Sequence, residues 1–91
     1  MPTKIQYLEM LKARLALWNA ELDKLQARAG DHADLKKVVE ELCQLRDDAA
    51  TQTQVIVRAG ESDWELLAAN VDKEFEALGD AFGRARARFG E

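Results

Sequence analysis

One cysteine, one histidine and one proline are all that 91 residues contain of each, and every one of these scarcities excludes something. Cys43 alone can form no internal disulfide. A zinc site takes about four Cys, His or carboxylate ligands, which His32 and Cys43 cannot supply. Nucleophilic catalysis needs a base held beside the nucleophile, whereas the lone histidine falls in a turn-like stretch away from the cysteine. The Glu-x-x-His repeats of di-iron bundles are absent, and five scattered glycines make no phosphate-cradling loop. Glu40-Glu41 and Asp47-Asp48 read as solvated helix surface. These residues point to no enzyme, no cofactor and no metal.

Long apolar runs are missing too. Leu15-Ala16-Leu17-Trp18 is far shorter than the roughly 20 residues needed to cross a bilayer. The first residues lead into an amphipathic stretch with Glu9, Lys12 and Arg14 rather than a signal-peptide core, so a cytoplasmic location is expected. Positive charge is in deficit, with a net charge of −4. Only Arg84, Arg86 and Arg88 cluster, and at a helix end they suit the dipole, so no nucleic-acid partner is expected. β-branched residues are sparse, and Val55-Ile56-Val57 is too short to build a sheet. An all-α chain remains.

What the chain has is heptad spacing. Leu8, Leu11, Leu15, Trp18, Leu22 and Leu25 alternate steps of three and four, the seam by which one helix lies against another. Ile5 and Tyr7 broaden its start. Thr3 and Gln6 form a capping box, and Gly30 supplies a stop, so helix 1 is expected over about residues 4–29. Leu35, Val38, Leu42, Leu45, Ala49 and Ile56 continue the pattern in helix 2, about 32–59, with Asp31 or Asp34 as its N-cap. Polar Thr51-Gln52-Thr53-Gln54 weakens that seam. Ser62 and Glu65 read as a second capping box, opening helix 3 over about 63–89. Its seam is Trp64, Ala68, Val71, Phe75, Leu78, Phe82, Ala85 and Phe89. Lys36 with Glu40, Lys37 with Glu41, and Asp80 with Arg84 are spaced as i,i+4 ion pairs.

Three segments of nearly equal length suit an antiparallel three-helix bundle, because each seam then meets a full-length neighbour. An alternative stays open. One glycine inside a helix costs only about 1 kcal/mol. A second register, Val39, Cys43, Ala50, Thr53, Val57, Gly60 and Trp64, runs through the second turn unbroken. A long two-helix hairpin would then expose half its seam and dimerise to cover it.

Two faces suggest partners. Opposite its seam, helix 1 carries Met10, Ala13, Leu17 and Ala20 where charge is usual, a candidate face for a second copy or another helical protein. Helix 3 gathers Trp64 and three phenylalanines above a basic end, the composition of an interfacial helix. Its acidic first half would be repelled by an anionic bilayer, so a membrane surface is the lesser expectation.

Trp18-Asn19-Ala20-Glu21-Leu22-Asp23-Lys24-Leu25, Glu40-Glu41-Leu42 and Arg46-Asp47 make up one group of motifs. Gly60, Asp63-Trp64-Glu65, Leu67, Val71, Phe75, Leu78 and Arg88-Phe89 make up another. In these the chain resembles small bacterial coiled-coil-domain proteins of the stress-response type. The resemblance implies a small helical protein linked to stress and brings no catalytic residues. Gly30-Asp31-His32 departs from the continuous Ala/Lys/Glu-rich tract expected there, which leaves one rod or two helices open. The function expected is that of a non-enzymatic interaction protein, acting by self-association or docking.

Overall fold

A computed structural model describes residues 3–90, which form three α-helices and, among these residues, no strand. They are α1 (Lys4–Ala29), α2 (Ala33–Arg58) and α3 (Trp64–Arg88). α1 opens on the Thr3 capping box: the Gln6 amide donates to Thr3 Oγ1 at 3.2 Å, and the Thr3 amide to Gln6 Oε1 at 3.0 Å. It ends at Gly30, whose φ of +51° would strain any side-chain-bearing residue. α2 ends where Ala59 turns extended, at φ −72° and ψ 147°. The chain therefore breaks at both turns and adopts the three-helix bundle, not the long hairpin.

Side-chain reach sets the directions. Lys4, near the start of α1, donates from Nζ to Val57 O at 3.2 Å and Ala59 O at 2.6 Å, at the end of α2. Farther along, Arg46 Nη1 donates to Asn19 Oδ1 at 3.0 Å. α1 and α2 are thus antiparallel. Trp18 stacks on Phe82 with ring centroids 4.6 Å apart, and Tyr7 meets Trp64 at 5.5 Å, so α1 and α3 run parallel. A lysine in the first turn opposes its own helix dipole, but here its ammonium satisfies carbonyls at the negative end of α2.

α2 makes the close backbone approaches to both neighbours, whereas α1 and α3 meet chiefly through side chains. This explains the two registers in α2. Val38, Leu42 and Leu45 lie beside Ala81 and Ala85 of α3, while Val39 lies beside Ala29 of α1. Of the second register, Val39 and Thr53 are buried and Cys43 and Ala50 half-buried, widening the core stripe of α2, whereas Val57 is exposed, so the register is not the trace of a continuous rod. Within the polar stretch, which stays helical, Thr51 and Thr53 donate from Oγ1 to the carbonyls of Asp47 and Ala49, at 3.0 and 2.9 Å. Thr53 can then be buried without an orphaned hydroxyl.

The seam residues form the core. Leu11, Leu22, Leu25, Val38, Leu42, Ile56, Trp64, Val71, Phe75, Leu78 and Phe82 are buried, and Leu8, Leu15, Trp18, Leu35 and Leu45 are half-buried against them. Some local expectations differ. Tyr7 is buried but Ile5 is 70 % exposed, because residues two apart on a helix sit about 200° apart and cannot share a face. Neither Asp31 nor Asp34 caps α2. His32 holds that position through its backbone, the Lys36 amide donating to His32 O at 3.0 Å, with no side-chain cap bond. The Ser62–Glu65 box does not form either. A tight turn places Asp63 at the α3 N-cap, with the Trp64 amide donating to Gly60 O at 3.2 Å. The three i,i+4 ion pairs are likewise not made, because exposed pairs gain little over water.

Two stability outcomes follow. Leu11 is fully buried, so Leu11→Ala should lower unfolding free energy by about 2–5 kcal/mol in urea melts. His32→Asp should supply the missing cap and raise stability by about 1 kcal/mol.

Candidate functional site

On a helix whose seam faces the core, positions seven apart on the flank share a direction. Met10, Leu17 and Lys24 are so spaced, with Ala13 and Ala20 beside them. Leu17 is 67 % exposed and Met10 41 %, and Ala13 and Ala20 are also exposed. The four residues of the candidate partner face thus lie together on the outside of α1. The other exposed large apolar residues, Ile5, Val55, Val57 and Leu66, do not extend this row.

The face borders the groove between α1 and α3. At one end Met10 and Arg14 stand opposite Asp72 and Glu76, with Tyr7 at the base. At the other, Leu17, Ala20 and Lys24 stand beside Glu21 and Arg86, which are joined by an ion pair of 3.4 Å. Counted over these residues, the Met10 end has one carboxylate in excess and the Lys24 end one cation in excess.

Tyr7 ties the groove floor together. Its hydroxyl donates to Asp72 Oδ1 at 2.6 Å, with Ala68 O at 3.2 Å. Burial, then the hydrogen bond to Asp72 and the charge of that carboxylate, push the phenol above its ordinary value, and the Arg14 guanidinium opposes this. Trp18, farther along, is half-buried, and its indole N–H is buried with no hydrogen-bond partner among the described residues. Its position rests on the stack with Phe82 and on contact with α3 at Gly79, where an added Cβ would lie 3.7 Å from the indole ring.

His32 lies exposed at the first turn beside Arg88, while Cys43 is half-buried on α2, so the fold does not bring them together. No group of three or more His, Cys, Asp or Glu among the described residues is arranged to hold a metal ion. No described helix is long and apolar enough to cross a membrane. The aromatic stripe of α3 is taken up by the core: Trp64, Phe75 and Phe82 are buried and Phe89 is half-buried. Sequence spacing found the α1 face but not the groove beside it, since no local signal says which edge of α3 lies next to α1. No family model matches the chain, and neither the curated proteins nor the solved structures include a significant match.

Tyr7→Phe should cost about 1–2 kcal/mol by removing the bond to Asp72. Because folding raises the Tyr7 pKa, its contribution is complete below the unfolded value of about 10 and fades as pH rises through the folded one. Urea melts of wild type and Tyr7→Phe should therefore converge at strongly alkaline pH. Tyr7 is the only tyrosine, so phenolate absorbance of the folded chain should appear only above the ordinary tyrosine range.

Proposed function

We propose that this chain is a non-enzymatic helical interaction protein that docks through the outer face of α1, onto a second copy or another helical protein. The observation that carries this reading is Leu17, a large aliphatic side chain 67 % exposed at the centre of a row with Met10, Ala13 and Ala20. Burying a side chain of that size is worth roughly 1.5–3 kcal/mol, and a flat helix face with small residues around it lets a second helix approach closely. Half-buried Cys43 and exposed His32 offer no chemistry that competes with this reading. The link to stress implied by the family resemblance belongs to the same proposal and adds no residue to it.

A membrane-surface role on the aromatic face of α3 is the lesser reading. It would require the bundle to open, because the rings it needs pack in the core.

A photo-crosslinking amino acid at Ala13, in cells expressing the chain, tests the docking. Adducts with protein are expected at Ala13, absent from a control at Leu66 and lost on Leu17→Glu. A chain that gives no adduct at Ala13 would not dock through this face.

A further inference from the structure

Resting on that reading, we infer that the occupant of the α1/α3 groove is a second copy of this chain, seated antiparallel about a twofold axis beside Leu17. Three observations converge on this arrangement. Leu17 lies at the middle of α1 (Lys4–Ala29), with Met10 and Lys24 equally far to either side. A twofold axis there sets Leu17 against its counterpart and each Met10 against the aliphatic stem of the other copy's Lys24, whose ammonium can still reach water.

Charge selects the direction. The Met10 end of the groove, with Asp72 and Glu76, has a carboxylate in excess, and the Lys24 end, with Arg86, a cation in excess. Antiparallel copies put each end on its opposite, whereas parallel copies would stack like on like. The reversal also sets each α1 dipole against that of its partner.

Length is sufficient. The row from Met10 to Lys24 runs about 21 Å along α1, nearly half of the 47 Å length of the body. The α3 rim leaves room as well, since a Cβ at Gly83 would meet nothing within 4 Å.

The experiment is sedimentation velocity combined with disulfide mapping. Wild type should sediment as a dimer whose affinity falls with added salt. Leu17→Glu should weaken it by roughly 30-fold or more, as loss of a central contact residue does, with an unchanged thermal melt by circular dichroism. Glu76→Lys should also weaken it, and Glu76→Lys with Lys24→Glu should recover it. With Cys43 replaced by Ala, chains carrying Met10→Cys and Lys24→Cys should cross-link to each other when mixed and not to themselves. Self-cross-linking of each variant alone would overturn the antiparallel arrangement. Wild type that stays monomeric at its solubility limit would overturn the homodimer altogether. Adducts at Ala13 with another protein would then leave docking through this face standing.

Discussion

The structure depends on α2 being buried on two flanks at once. α1 and α3 each present a single apolar stripe, but they meet each other mainly by side-chain tips. The rigid contacts are those each makes with α2. Removing the helical character of α2 would leave two parallel helices with aligned dipoles, joined only by side-chain contacts such as the Tyr7–Asp72 bond, the Trp18–Phe82 stack and the Glu21–Arg86 ion pair. This makes the tolerance of the Thr51–Gln54 segment consequential. The hydroxyls of Thr51 and Thr53 fold back onto their own helix, and so Thr53, the one residue of this stretch that is buried, enters the core with its donor satisfied.

The ends of the bundle follow the same economy of charge. α2 points its C-terminus at the N-terminal end of the other two helices, and there Lys4 bonds carbonyls of Val57 and Ala59. At the opposite end Arg28 of α1 donates to Phe89 O of α3 at 3.3 Å. Cations that look misplaced or merely solvating along one helix thus serve the terminus of another. Fixed partial charges at helix ends are met across the fold and not only within the segment that carries them.

The α1/α3 side is where these constraints relax. Parallel neighbours joined by a hydroxyl–carboxylate bond, a ring stack and one ion pair leave a shallow groove, and beside it the bundle exposes Leu17 and Met10. The exposure follows from geometry: α1 has two neighbours and its apolar residues span more of its circumference than two neighbours can cover. A third neighbour is the simplest way to cover the rest, which is the basis of the proposed docking role.

Heptad spacing was enough to place Leu11, Leu22 and Leu25 of α1 and Val71, Phe75 and Phe82 of α3 on core-facing stripes. Side chains three and four apart must share a helix face whatever surrounds them. The Thr3 cap was legible for the same reason, since its partners lie within one turn. Tertiary structure alone decided which neighbour each stripe meets, why α2 carries two registers, and that the chain turns at Ala59-Gly60 while Gly79 and Gly83 stay inside α3. It also decided that His32, not the better-suited Asp31 or Asp34, stands at the N-cap of α2, and that Asp63 rather than Ser62 stands at that of α3. Turn conformation is set by where two packed helices must enter and leave, and a local capping preference of about 1 kcal/mol yields to the burial of whole side chains.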